Sequence, residues 1–304
     1  MGYVGNLARN LLWRRNLNPV PFGANFAAAN ADPTNPRVPL PQPFLRPMIG
    51  FTDVNMVEWA SSSNYHSLQL TANRRFTKGL DFGLAYTWSK ALNYQDDDDA
   101  TISALVSPRI GNYGLAGYDR AQVLKLNFVW AIPRSPWKNP LVRYALNDWQ
   151  VSGIATMSTG APTAIGYSFV NPVDITGTAS QGARIAQTGD ANLPASERTF
   201  ARNFRTEVFV PPTVGTIGNA GRTSVRQPGF QNWDLTAAKA FPLTEKVRLQ
   251  FRTEFYNAFN HTQFSSFDTA ARFDGRNQQI NARFGEMTGA RAARLIQMAL
   301  RFTF

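Results

Sequence analysis

The sequence predicts an all-β protein: a transmembrane antiparallel β-barrel, partial, with about eight long strands and long extracellular loops. Three observations predict it. Apolar and aromatic residues fall on every second position in segment after segment. Those segments are mostly 10 to 15 residues long. The connections between them alternate between short and long.

The opening "GYVGNLA" (2–8) and "YHSLQLTANRRF" (65–76) carry the alternation weakly. In "LDFGLAYTWSKAL" (80–92), Phe82, Leu84, Tyr86 and Trp88 share one face and Asp81, Gly83, Ala85, Thr87 and Ser89 the other. In "QVLKLNFVWAI" (122–132), Leu124, Leu126, Phe128, Trp130 and Ile132 oppose Val123, Lys125, Asn127, Val129 and Ala131. "NDWQVSGIATMSTG" (147–160) and "NWDLTAAKAF" (232–241) follow as weaker members. The clearest is "VRLQFRTEFYNAF" (247–259), where Val247, Leu249, Phe251, Phe255 and Phe259 oppose Arg248, Gln250, Arg252, Glu254 and Tyr256. The chain ends on "ARLIQMALRFTF" (293–304), with Ile296, Met298, Leu300, Phe302 and Phe304 in phase. Period 2 with aromatic and β-branched residues specifies strands with two unlike faces.

Length decides what kind of sheet. A typical globular strand has about 5 or 6 residues, whereas a tilted membrane-spanning strand needs about 9–11. From the C-terminus backwards the connections run long (260–291), short (242–246), long (161–231), moderate (133–146), long (93–118), very short (77–79) and long (9–64). Short turns on one side and long loops on the other is the sorting of outer-membrane barrels, and a soluble sheet has no reason for it. With the last strand running inward, Trp88, Trp233, Phe255 and Phe259 sit near the outer strand ends. Trp130, Trp149, Phe241 and Phe304 then sit near the inner ends, giving two aromatic girdles. The competing reading makes these rings the core of a sandwich.

Composition bounds the rest. The chain has 304 residues, 43% of them hydrophobic, enough for a sizeable core or a large sheet. Mean hydropathy is −0.28, and no apolar run approaches the roughly 18 residues of a spanning helix. There is no cysteine, which excludes disulfides and thiolate metal or redox sites. The net charge of +11 is dispersed, with no Lys/Arg block longer than two, so it does not point to nucleic acid. The start "MGYVGNLARNLLWRRNLNPVP" lacks the layout of a signal peptide. That leaves a cytosolic protein or a chain whose true beginning is missing.

Candidate chemistry is sparse. Asp96 to Asp99 form an acidic run in an outside loop, without the spacing or glycine of an EF-hand; a solvated loop tip or a weak cation contact both fit. His66 and His261, near outer strand ends, lack carboxylate companions and make a poor metal site. "GTIGNAG" has the wrong spacing for a phosphate loop. Lys125, Arg248, Arg252 and Glu254 lie on polar strand faces, which in a barrel look into the lumen. There they pair with one another or with a plug, or they line a cationic path for anionic ligands. No catalytic residue, metal or cofactor is assigned.

The terminal residues Ile296, Met298, Leu300, Phe302 and Phe304 resemble the C-terminal signal that outer-membrane proteins present to the barrel assembly machinery. A narrower resemblance covers most of the chain outside its long loops. The segments "NYHSLQLTANRRFTKGLDFGLAYTWSKAL" (64–92), "GTIGNAGRTSVRQPGFQNWDLTAAKAF" (215–241), "KVRLQFRTEFYNAFNHTQF" (246–264) and "FGEMTGARAARLIQMALRFTF" (284–304) resemble the C-terminal third of TonB-dependent receptors. "GYVGNLARNLL" (2–12) also resembles a strand of that barrel. The likeness is to the Oar-like group with a carboxypeptidase-regulatory-like domain. Such receptors have about 22 strands around a plug, preceded by a signal peptide and an energy-coupling motif. The resemblance therefore implies that residues 1–304 are a C-terminal barrel segment, with plug and signal peptide absent. Eight strands closing on themselves is the structural alternative.

What the resemblance implies for function is import of a scarce ligand, an iron chelate, cobalamin or oligosaccharide, across the outer membrane. The chain would then be a transporter and not an enzyme. Its partners would be outer-membrane lipid, the assembly machinery, a small-molecule ligand of unidentified kind, and the TonB complex only through the missing N-terminal region. A small passive porin or structural barrel is the alternative, and an enzyme or adhesin acting through its loops a third possibility.

Overall fold

The computed structural model describes residues 1–98, 100–244 and 247–304, without the side chains of residues 76 and 77. Asp99, the last of the acidic run, lies outside the described residues, as do Glu245 and Lys246 of the short connection.

Eight long strands follow one another: β1 (Gly2–Asn16), β2 (Asn55–Thr77), β3 (Leu80–Asn93), β4 (Gln122–Ala131), β5 (Trp149–Ser158), β6 (Phe230–Pro242), β7 (Arg248–Tyr256) and β8 (Leu295–Thr303). Each pairs antiparallel with its sequence neighbour, so the sheet is an up-and-down meander from β1 to β8. Two two-residue strands add to it, Thr101–Ile102 beside β1 and Gly114–Leu115 beside β3, making a ten-stranded sheet. Among the described residues no ladder joins β8 to β1, so the sheet is open. The protein is all-β, built on one largely antiparallel sheet. Among the described residues no helix is long and apolar enough to cross a membrane, which says nothing about crossing by strands.

The registers carry the alternation across the sheet. One row joins Ala72, Leu84, Leu126, Ala155 and Trp233, and the next joins Phe82, Phe128, Gly153, Leu235, Phe255 and Ile296. These rows form an apolar face. The rows on either side of this pair belong to a polar face: Thr71, Ala85, Lys125, Thr156 and Asn232, then Asp81, Val129, Ser152, Thr236, Glu254 and Gln297. A one-residue slip anywhere would swap the faces, so the apolar pattern fixes the register.

At one end of the sheet the connections are the shorter ones: 78–79, 132–148 and 243–247. Between β2 and β3, Lys78 and Gly79 both take positive φ (54° and 81°), the backbone of a two-residue hairpin turn. A Cβ on Gly79 would lie 2.5 Å from the Ala131 carbonyl oxygen, so the position also needs a residue without one.

The first two strands exceed the sequence expectation. β1 continues to Asn16 and β2 begins at Asn55, so their connection is 17–54 and not 9–64. At roughly 3.3 Å per residue, the 23 residues of β2 extend well past an apolar band about 25 Å tall. The added stretches, "RNLLWRRN" and "NMVEWASSSN", lack clean alternation. Where both faces of a hairpin meet water or loop, nothing selects period 2, so the pattern fades although the ladder continues. The ladder also shifts register between Ala8 and Leu12, where Asn10 has φ 54°.

The long loops are folded. Connections 159–229 and 257–294 share a core in which the buried Phe204 ring packs against Phe209, Phe267 and Phe284 at centroid distances of 5.8, 5.3 and 5.2 Å. Connection 17–54 has a smaller core of Val20, Ala24 and Leu45. It is tied to connection 159–229 through Thr178 Oγ1 donating to the Val20 carbonyl oxygen at 2.6 Å.

Candidate ligand path on the polar face

Lys125 projects from the middle of the polar face, between Ala85 and Thr156. It lines a pocket of about 390 Å³ with Tyr65, Thr87, Ser89, Tyr118, Asp119 and Arg120. The pocket is made by the return of connection 94–121 onto β3, where Ser89 Oγ donates to the Arg120 carbonyl oxygen at 2.8 Å. Hydroxyls, two cations, the Asp119 carboxylate and two phenol rings converge there.

Arg252 and Glu254 stand two positions apart on β7 and form an ion pair, and the Tyr256 hydroxyl donates to Glu254 Oε2 at 3.0 Å. Arg248 opposes Thr303 near the other end of the same strand. Lys125 is three strands away, so the four charged residues do not form one cluster.

The rim at the long-loop end is held by two ion pairs. Asp119 is buried; its Oδ1 accepts from the Ala91 backbone N–H at 2.7 Å and its Oδ2 from Arg226 Nη2 at 2.5 Å. Four residues before Arg226, Arg222 Nη2 donates to Asp96 Oδ2 at 2.6 Å and its Nη1 to Asn93 Oδ1 at 2.5 Å. Connection 94–121 is thereby fastened to connection 159–229. Burial pushes the Asp96 carboxyl up, but hydrogen bonds from Asn93 and Gly117 and the Arg222 guanidinium outweigh it and hold the group below its ordinary value. Asp96 is thus an anchor in the acidic run. His66 Nδ1 lies 2.6 Å from the Tyr3 hydroxyl, and His261 Nδ1 lies 3.1 Å from Gln263 Nε2.

The aromatic candidates fall at the two strand ends. Towards the long loops, Trp233 packs edge-on to Phe259 at 5.9 Å, and Phe255 opposes Leu235 and Ile296. Trp88, 59% exposed, opposes Leu68 and Gln122. Towards the short turns, Trp130 opposes Leu80 and Val151, Trp149 Nε1 donates to the Ala145 carbonyl oxygen at 2.9 Å, and Phe241 packs on Tyr144 at 5.6 Å. In β8 the exposed Ile296, Met298, Leu300 and Phe302 oppose Phe255, Thr253, Phe251 and Leu249 on the apolar face. Phe304 lies beyond the last pair and is 98% exposed.

Three features escaped sequence reasoning. Asp119, Arg222 and Arg226 sit in loops without periodicity; only the i, i+4 arginines of "GRTSVRQ" hinted at them. The loop core was signalled by Phe204, Phe209, Phe267 and Phe284, too many large rings for a solvated loop. Lys239 lies on the apolar row yet is buried. Its Nζ donates to the Asn147 carbonyl oxygen at 2.6 Å and lies 5.3 and 4.9 Å from the Trp149 and Phe241 ring centroids. A lysine next to the short-turn rim meets that need by reaching out of the apolar band.

Among solved structures, the outer membrane transporter YddB from Escherichia coli is similar, with a TM-score of 0.41 and 7% identity over 99% of this chain and 29% of that one. The chain thus spans less than a third of the length of that protein. No curated protein sequence matches. Residues 1–297 match the family described as outer membrane beta barrel domain, and the chain belongs to that family and resides in the outer membrane.

Proposed function

We propose that the chain forms one side of the barrel of a TonB-dependent receptor that takes up a scarce ligand, of the iron chelate, cobalamin or oligosaccharide class. The observation that carries this reading is the open sheet: among the described residues, eight long strands whose first and last members do not pair with each other. A sheet edge in hydrocarbon leaves backbone groups unsatisfied, so an open sheet of this size calls for further strands, and a barrel of about 22 has room for a plug. In this reading the apolar face meets lipid, and Lys125, Arg248, Arg252 and Glu254 face the lumen and its plug. Trp88, Trp130, Trp149, Trp233, Phe241, Phe255 and Phe259 mark the interfaces, while Ile296, Met298, Leu300, Phe302 and Phe304 are read by the assembly machinery. The reading implies energy-dependent uptake and no catalysis.

The test is uptake of radiolabelled ferric siderophores, cobalamin and maltooligosaccharides by cells expressing the protein, with and without TonB. Saturable uptake of one ligand that vanishes without TonB is the expected result. TonB-independent uptake, together with a stable uniform conductance of the purified protein in planar bilayers, would establish a passive porin instead.

A further inference from the structure

A second cavity, of about 760 Å³, lies at the long-loop end of the sheet, where connections 159–229 and 257–294 overhang the strand ends. Its floor is on the apolar face. Tyr86, Leu124, Met157 and Gln231 line it, and the registers place these four in one cross-strand row of that face. Its upper wall is mixed, with Phe204, Phe230 and Phe264 beside the polar groups of Arg198 and His261. Arg198 Nε donates to the Leu193 carbonyl oxygen at 3.0 Å, which anchors the guanidinium. Among the described residues its two Nη groups have no hydrogen-bond partner.

His261 supplies another donor, and its tautomer follows from the network. Gln263 Oε1 accepts from the Gln231 backbone N–H at 3.0 Å and its Nε2 donates to the Gln231 carbonyl oxygen at 2.5 Å, which fixes the orientation of the amide. The Nε2 group also lies 3.1 Å from His261 Nδ1, so that ring nitrogen accepts and the neutral ring carries its proton on Nε2. Among the described lining residues there is no carboxylate. The cavity therefore combines an apolar floor with cationic and neutral donors, and nothing in it repels an anion.

A soluble anion has no use for a floor that continues into the lipid-facing surface of an outer-membrane protein. We propose that this cavity binds a phosphorylated glycolipid of the outer leaflet. The phosphate lies against Arg198 and His261, and an acyl chain crosses the row of Tyr86, Leu124 and Met157 and continues along the apolar face. The proposal rests on the long loops being external and is independent of what the receptor transports. A bound lipid would brace the loop core against the barrel wall.

The test uses protein extracted from outer membranes in detergent and native mass spectrometry with diphosphorylated, hexa-acylated lipid A as the probe. Charge-assisted contacts to phosphate predict that Arg198→Glu weakens retention about ten-fold and that Arg198→Lys recovers most of it. The dephosphorylated lipid should bind about as weakly to the parent protein as the intact lipid does to Arg198→Glu. Lys138→Glu, in the connection at the opposite end, is expected to leave retention unchanged, and heat-modifiable migration on gels verifies folding of every variant. Equal retention by Arg198→Glu, or of the dephosphorylated lipid, would overturn the proposal. So would displacement of lipid A by soluble glucosamine phosphate at equal concentration, which would make this a site for free anions.

Discussion

Leu126→Arg is expected to destabilise the folded barrel by about 2–4 kcal/mol, whereas Asn127→Arg, one residue along the same strand, should cost less than about 1 kcal/mol. Leu126 lies in the apolar row between Leu84 and Ala155, midway between the rows that hold Trp88 and Trp130. A guanidinium there must be buried in hydrocarbon or drag water in after it. Asn127 lies on the polar face between Gly83 and Ile154, where the larger head group has the lumen to enter. The same change at Leu249 should cost less than at Leu126. Leu249 shares its row with Phe241 and Phe302 close to the short-turn rim, where a long side chain can reach the interface. Denaturant titration in bilayers gives these differences. Equal costs at Leu126 and Asn127 would refute the assignment of faces.

The second large effect is expected at the rim. Asp119→Ala should loosen connection 94–121 by about 3 kcal/mol, near the lower end of what removing one partner of a buried ion pair costs. The lower end applies because the Arg226 side chain keeps 31% exposure while that of Asp119 keeps 1%. The substitution leaves two donors without their acceptor, the Ala91 N–H and the Arg226 guanidinium. Hydrogen exchange should quicken at Ala91 and in 114–121 and 222–227 but stay unchanged in β5 to β7. Adding Arg226→Ala should cost less than the sum of the single changes. The Asp96–Arg222 pair beside it sets the pH response. Because the Asp96 carboxyl is held below its ordinary value, its contribution is complete above about pH 4 and is lost only as pH falls through the lower folded value. Rim protection should therefore not change between neutral pH and pH 5. Uniform exchange across the whole chain after Asp119→Ala would show that the rim is not a separate cooperative unit.

These contrasts show where the sequence was legible. A strand between lipid and lumen has one apolar and one polar face, so Phe82, Leu84, Tyr86 and Trp88 announced both strand and register. The connections expected at 9–64 and 93–118 were legible as long loops, although the structure shortens the first to 17–54 and sets the second at 94–121. The upper halves of β1 and β2 were not legible, since "RNLLWRRN" and "NMVEWASSSN" obey no single solvent. Lys239 escaped because its burial in the apolar row is decided by depth, and depth is not written in alternation. Asp96 read as solvated charge because its partner, Arg222, lies 126 residues away. The polar-face position of Lys125 followed from period 2, but its pocket did not, because the walls come from a loop whose course depends on Asp119 and Arg226.

The protein has no cysteine, so single cysteines can be introduced without background. The most direct test of the two-faced sheet is to place a nitroxide at each position from 248 to 256 in β7, in bilayers, and measure its collisions with oxygen and with a water-soluble nickel chelate. Positions 249, 251, 253 and 255 should be oxygen-accessible and positions 248, 250, 252 and 254 chelate-accessible, alternating strictly through the strand. Accessibility without period 2, or period 2 in the opposite phase, would contradict the account.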